Sequence, residues 1–259
     1  MNVMSVLLLK EWRESLRTAK WIWLPAVFLL LGLIQPITVK FMPDILSSAG
    51  SLPEGTIIQI PIPKPGEVLA KTLGQYDTIG MLAICLAFMG TISGEKRSGT
   101  AAWILVKPTS PYAYVLAKWM MHSLLVVVSF ALGYGGAWYY TLLLIGEPDS
   151  VAALSSMLLY IGWLLFGVTS TIAFSAIIRS PAGAAFTAFG FVTALQIVQA
   201  TLKPKLDWLP SGLNAAAASR LTAGSVTWGT AAFAAAICIA ALLLLAVRRS
   251  SSSGSSYPS

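Results

Sequence analysis

The sequence predicts an all-α, polytopic membrane protein with six transmembrane helices, and three observations carry that reading. Apolar residues make up 56% of the 259 residues and charged residues only 10%, against about 25% charged in an average soluble domain. Six stretches are apolar and long enough to approach the roughly 20 residues that a membrane helix needs. When those six spans are drawn, the basic residues sort to one side. So few charges cannot clothe a soluble globule of this length, which excludes a large soluble enzyme domain. The net charge of +7 would point to nucleic acid in a soluble chain; here the sorting by side accounts for it.

In chain order, Met1 to Lys20 reads as an interfacial amphipathic helix. Leu8, Trp12, Leu16 and Ala19 share one face, and Lys10, Arg13, Glu14 and Arg17 share the other, with Lys10 and Glu14 spaced to pair. Span one is Trp21 to Val39, uncharged throughout. It reads as uncleaved, since no small-residue cleavage site follows it. A proline-rich outer segment follows, in which Gly66 to Gln75 reads as an amphipathic helix on the outer surface. Span two, Thr78 to Ser93, is short and lengthens to 74 only by taking in Asp77. Spans three to six cover about 119–146, 151–178, 181–202 and 224–247. The third and fourth are long enough to tilt or project. Residues 203 to 220 start polar and turn apolar, as a segment dipping back among protein would. The chain is read as one domain, 1–249, with a flexible Ser/Gly tail, 250–259.

The charge count orients this plan. Eleven basic residues fall on the side bearing both ends: Lys10, Arg13, Arg17, Lys20, Lys96, Arg97, Lys107, Lys118, Arg179, Arg248 and Arg249. Six fall opposite, together with seven of the ten acidic residues. The bias assigns both termini to the cytoplasm.

Much chemistry is excluded. No G-x-x-x-x-G-K-[ST] phosphate loop occurs, so the chain has no ATPase of its own. The one histidine, His122, has no nucleophile motif beside it and reads as a helix-end or interfacial residue. Span interiors look free of ionisable residues, with Asp77 at an outer edge, which leaves ion-coupled transport little to work with. A stand-alone channel or secondary carrier would depend on polar residues such as Thr187, Thr193, Gln196 and Gln199 in span five. Their plainer reading is hydrogen bonding between helices. Cys85 and Cys238 lie in apolar runs and offer neither metal site nor disulfide. The small residues Gly183, Ala184, Ala188 and Gly190 favour close helix approach, either to a partner subunit or within the bundle.

The most informative stretch lies between spans two and three. Gly94-Glu-Lys-Arg-Ser-Gly places charges and a glycine before a short apolar segment containing Trp103, Ile104 and Leu105. Pro108 ends that segment, and Ser110-Pro111 starts the next helix. A short helix with apolar residues between charged flanks suits docking into a groove of another protein. The pattern formed by Glu95, Lys96, Ser98, Gly99, Thr100, Leu105, Pro108, Ser110, Tyr114, Val115 and Lys118 resembles permease subunits of the ABC-2 type. So do Lys10-Glu11, Glu14 and Arg17 before span one, and Phe41-Met-Pro-Asp-Ile-Leu after it. The similarity covers 1 to 249 and is greatest to the subgroup associated with multicopper-enzyme maturation, sodium extrusion and peptide-antibiotic immunity. Relatives often carry a basic residue after the serine, where this chain has Pro111-Tyr112.

The resemblance implies six spans, an elbow helix before span one carrying Lys10, Glu11, Glu14 and Arg17, and a cytoplasmic coupling helix between spans two and three. It implies two permease subunits, homodimeric or heterodimeric, on two copies of a separate ATPase. That ATPase binds ATP and Mg, while this chain binds no cofactor or metal. Coupling is expected from Gly94 to Lys107. Glu95 and Lys96 would make polar contacts, Gly99 would allow the close turn, and Trp103 and Leu105 would sit in the ATPase cleft; Thr100, Lys107 and Pro108 belong to the same coupling set, with Pro108 ending the segment. Arg179 would make a second contact. The implied protein is a multi-pass exporter subunit of a bacterial plasma membrane, surrounded by lipid. Its cargo does not follow from the resemblance; the apolar span faces and expected lack of buried charge suit a hydrophobic or amphipathic one, such as a peptide or lipid-linked molecule.

Overall fold

The computed structural model describes residues 3–48, 63–99, 110–202, 206–222 and 228–251, with backbone alone for 43–48. Its elements are helical: α1 (Val3–Arg17), α2 (Lys20–Ser48), α3 (Pro65–Gln75), a π-helical turn (Tyr76–Gly80), α4 (Met81–Phe88), α5 (Ser93–Arg97), α6 (Pro111–Leu144), α7 (Ser150–Ile177), α8 (Pro181–Thr201), α9 (Gly212–Thr222) and α10 (Gly229–Ser251). Among the described residues, six segments are long and apolar enough to cross a membrane. They are Lys20–Met42, Pro65–Arg97, Pro111–Leu144, Ser150–Ile177, Pro181–Thr201 and Gly229–Ser251. The chain is a multi-pass, all-helical membrane protein.

Helix starts follow local chemistry. Ser110 caps α6 by accepting from the Ala113 amide at 3.1 Å, and Ser180 caps α8 by accepting from Gly183 at 3.3 Å. Each is followed by proline at the first helical position, where its missing N–H costs nothing. Asp149 caps α7 after a four-residue turn. Between α1 and α2 the chain turns at Ala19, which has φ of 52°. Ala19 therefore forms the bend rather than extending the apolar face that the sequence assigned to it. This is the left-handed conformation in which helices often end, although glycine usually occupies it.

Spans two and three form the centre, with 56% of each apolar window buried, whereas spans five and six, at 22%, lie at the periphery. Span one crosses span three at two glycines. A Cβ at Gly32 would strike the Gly133 carbonyl, and one at Gly133 would strike the Phe28 carbonyl, so only glycine permits this approach. Beside the crossing sits an aromatic core of Phe28, Tyr76, Phe130, Tyr134 and Tyr160. Phe28 stacks on Tyr76 at 5.2 Å, and Phe130 lies edge-on to Tyr76 at 5.4 Å. The buried phenols all find acceptors: Tyr76 donates to the Phe28 carbonyl at 2.9 Å and Tyr134 to that of Ala153 at 3.2 Å.

The segment expected to lie on the outer surface does not. The apolar face of α3 (Val68, Leu69 and Leu73) is fully buried, and α3 runs through the π turn into α4 as one segment. Its Gly66 abuts the Leu221 carbonyl of α9. Enough neighbours surround this stripe to bury it against protein, so the lipid interface is not needed. The small residues of span five divide. Ala184 and Ala188 are fully buried, Ala188 packing near Cys85 of span two, while Gly190 faces outward.

Candidate functional site: a buried charge cluster at one end of the bundle

Five charged side chains from three elements meet where α1 crosses the start of α6. On α1 the inward face is Leu7, Glu11 and Ser15, at i, i+4 and i+8, while Trp12 and Leu16 of the predicted apolar face point outward. Glu11 is 5% exposed. From α6, Lys118 enters with 1% exposure and donates to Glu11 Oε1 at 2.8 Å and to Glu95 Oε1 at 2.9 Å. Lys10 donates to Glu11 at 3.0 Å, lies 3.3 Å from Glu14, and pairs with Glu95. Tyr114, one turn before Lys118, donates its hydroxyl to Glu95 Oε2, and the Lys118 ammonium lies 5.1 Å from its ring centre.

Electrostatics explain why these charges tolerate burial. Burial by itself raises the Glu11 carboxyl, but Lys118 and Lys10 outweigh it and hold the group below the ordinary carboxylate value. Burial likewise opposes the Lys10 ammonium, yet Glu11 and Glu95 prevail and keep its pKa above that of an ordinary lysine. The three carboxylates Glu11, Glu14 and Glu95 approach within 4.8 Å, a spacing that could hold a metal ion. Lys10 already reaches all three and Lys118 two of them, so two ammonium groups stand where a metal ion would and offset most of the negative charge. Lys118 is therefore an internal charge rather than a headgroup contact, held between side chains of α1 and α5.

Around this cluster the bundle end is tied to spans four and six. Ser175 of α7 accepts from the Ile92 and Ser93 amides, both at 3.1 Å, and donates to the Met89 carbonyl at 2.8 Å, bracing the break between α4 and α5. Lys96 donates to the Ala176 carbonyl at 2.8 Å and to the Arg249 carbonyl at 3.3 Å, meeting terminal carbonyls that have no partner within their helices. The backbone then turns at Gly99, with φ of 75°. Arg179 is exposed nearby, and Arg13 and Arg17 are exposed on α1. Thr100, Trp103, Leu105, Lys107 and Pro108 lie outside the described residues. The N-terminal helix, α5 and the end of α10 thus share one end of the bundle.

His122 is enclosed by protein rather than facing water or lipid. It is 3% exposed, one turn beyond Lys118, with its ring 4.3 Å from that of Phe88. Phe88 also receives the Lys20 ammonium at 5.6 Å. Asp77 does not sit at an edge either. The π turn aims it into the bundle, where its Oδ1 accepts from Tyr160 and Trp163 of span four, each at 3.0 Å, and its Oδ2 accepts from Asn214 of α9. Sequence reasoning missed Lys118, Tyr114 and Asp77 as site residues. The signals were present: Tyr114 and Lys118 are four apart on one helical face, and Asp77 is an acid inside an apolar run.

These features define a multi-pass membrane protein in which an N-terminal helix, the start of the loop after span two and the base of span three are joined by buried ion pairs. Comparison with known sequences narrows the class. The profile described as ABC-2 family transporter protein matches residues 5–249, so the chain belongs to that family. It is also similar to a protein of Bacillus subtilis (strain 168) described as the uncharacterized transmembrane protein YxlG, 36% identical over 211 residues that cover 82% of each chain. The chain is a transmembrane transport component of a family whose permeases are normally non-catalytic and work with an ATPase.

Proposed function

We propose that this chain is the permease subunit of an ATP-driven exporter in a bacterial plasma membrane, with both termini cytoplasmic. Two permease subunits form the membrane unit, and each engages one copy of a separate ATPase that binds ATP and Mg. Residues 94–107 dock on the ATPase, with Trp103 and Leu105 as apolar anchors and Arg179 as a smaller contact. The cargo is hydrophobic or amphipathic, such as a peptide. The observation carrying this reading is the Glu95–Lys118–Glu11–Lys10 network. Glu95 lies at the head of the docking segment, and its partners belong to the elbow helix and to span three. A push on that segment therefore reaches two membrane-associated elements through short charge-assisted hydrogen bonds.

The test is ATP hydrolysis by the ATPase reconstituted with this chain in liposomes. Stimulation by the wild-type chain is expected, and Trp103→Glu should abolish it while the permease still purifies as a folded bundle. Undiminished stimulation with Trp103→Glu would remove the docking assignment. Cargo movement by the permease in liposomes lacking any ATPase would favour a stand-alone channel or carrier instead.

A further inference from the structure

At the opposite end of the bundle, a groove of ≈ 460 Å³ runs between spans four and six and beneath α9. Its trough is cut by small residues of span six, Ala232, Ala235 and Ala236, at i, i+3 and i+4. Leu158 of span four and Leu213 of α9 rise on the other side. The groove opens to the bilayer: Leu158 is 63% and Trp228 45% exposed. From Trp228 at its head to Ile239 at its foot are 11 residues of span six, roughly 16 Å of helix, about half the ~30 Å hydrocarbon thickness. It is one leaflet deep. Among the described residues, the one charged side chain lining it is Arg220, in the last turn of α9, at the head beside Trp228.

An apolar trough one leaflet long, with a guanidinium and an indole at its interfacial end, matches one kind of molecule in shape and charge. We infer that the groove binds an anionic phospholipid, with one acyl chain along Ala232, Ala236 and Ile239 and its phosphate at Arg220. Guanidinium geometry favours a phosphate oxygen pair. Tryptophan favours the headgroup depth. The small side chains of span six leave the volume that the acyl chain fills. The occupant is a membrane lipid, so the inference stands apart from the identity of the cargo and of the ATPase.

Native mass spectrometry of the purified chain tests it, with phosphatidylglycerol and phosphatidylethanolamine of identical acyl chains, and glycerol phosphate as the headgroup alone. The wild type should retain phosphatidylglycerol about fivefold over phosphatidylethanolamine, the factor that corresponds to about 1 kcal/mol for one basic side chain at a lipid surface. Arg220→Gln should erase the preference and Arg220→Lys should keep part of it. Ala236→Trp, which fills the groove from its open side, should lower retention of both lipids. Glycerol phosphate should not bind. Equal retention of the two lipids by the wild type, an unchanged preference in Arg220→Gln, or full retention in Ala236→Trp would overturn the site. Binding of glycerol phosphate alone would replace the lipid with a free-anion site and overturn it equally.

Discussion

Removing the Lys118 ammonium leaves Glu11 and Glu95 facing each other with only Lys10 between them. Loss of one partner from a buried ion pair costs about 3–5 kcal/mol, because the charge left behind keeps its desolvation penalty. Lys118→Met should therefore destabilise the purified protein by about that amount, read as the loss of unfolding free energy in a denaturant titration. The triple variant Glu11→Gln, Glu95→Gln and Lys118→Met should recover most of the loss, since the three most buried charges are gone together and the partly exposed Lys10 keeps Glu14. A triple variant no more stable than Lys118→Met would show that the ions do not act as one network. Titration follows from the same residues. The folded-state pKa of Glu11 is depressed, so its contribution is complete above the ordinary carboxylate value of 4.5 and is lost as pH falls through the lower folded value. That of Lys10 is raised, so its contribution is complete below the ordinary lysine value of 10.5 and is lost only as pH rises through the higher folded value. Spin labels at Arg13→Cys and Tyr112→Cys should keep one distance distribution between the ordinary carboxylate value of 4.5 and the ordinary lysine value of 10.5, and broaden only on acidification below the former. A distribution that broadens between pH 6 and 8 would contradict this. At this scale the sequence was only partly legible. Glu11, Lys10, Glu14 and Glu95 stood out as charges near membrane helices, but a partner 107 positions away is set by how helices pack.

Among the elements, the crossing of α2 and α6 rests on Gly32 and Gly133. A side chain at either position meets backbone oxygen, which cannot move aside as a flexible side chain does. Gly133→Val should cost about 1–3 kcal/mol, typical of overpacking, and should push Tyr76 from its hydrogen bond to the Phe28 carbonyl. The check is unfolding free energy together with a cysteine pair across the crossing, whose cross-linking should slow. An undisturbed cross-linking rate would remove the glycine contact. Helix starts were readable because they depend on neighbours in sequence: Ser110-Pro111 and Ser180-Pro181 satisfy their own caps. The facing of α1 and α3 was not. Trp12 and Leu16 on α1 share an apolar face, yet the side that docks carries Glu11 and Ser15. Periodicity finds a stripe but does not say whether lipid or protein covers it. The π turn at Tyr76–Gly80 was equally silent, since one extra residue per turn leaves no mark in composition, and it is what swings Asp77 inward.

For the molecule as a whole, α1, α5 and the end of α10 lie together, so reagents should reach both ends of the chain from one side. Cysteines at Arg17 and Arg249 should react with an impermeant maleimide only from the cytoplasmic side of oriented vesicles, and one at Glu147 only from the other. Labelling of Arg17→Cys and Glu147→Cys from the same side would break the six-span plan. The sequence by itself determined the class, the number of spans, the sorting of charge and the family pattern, because each is a sum over local stretches or an order along the chain. A burial requirement of about 20 apolar residues is legible wherever it occurs. Only the tertiary structure decided which charges are internal, that Asp77 joins spans two and four to α9, and that a one-leaflet groove ends at Arg220. Those outcomes depend on which helix faces meet. Several faces of an apolar helix are nearly equivalent in sequence, and a few close contacts, such as two glycines or one buried lysine, choose among them.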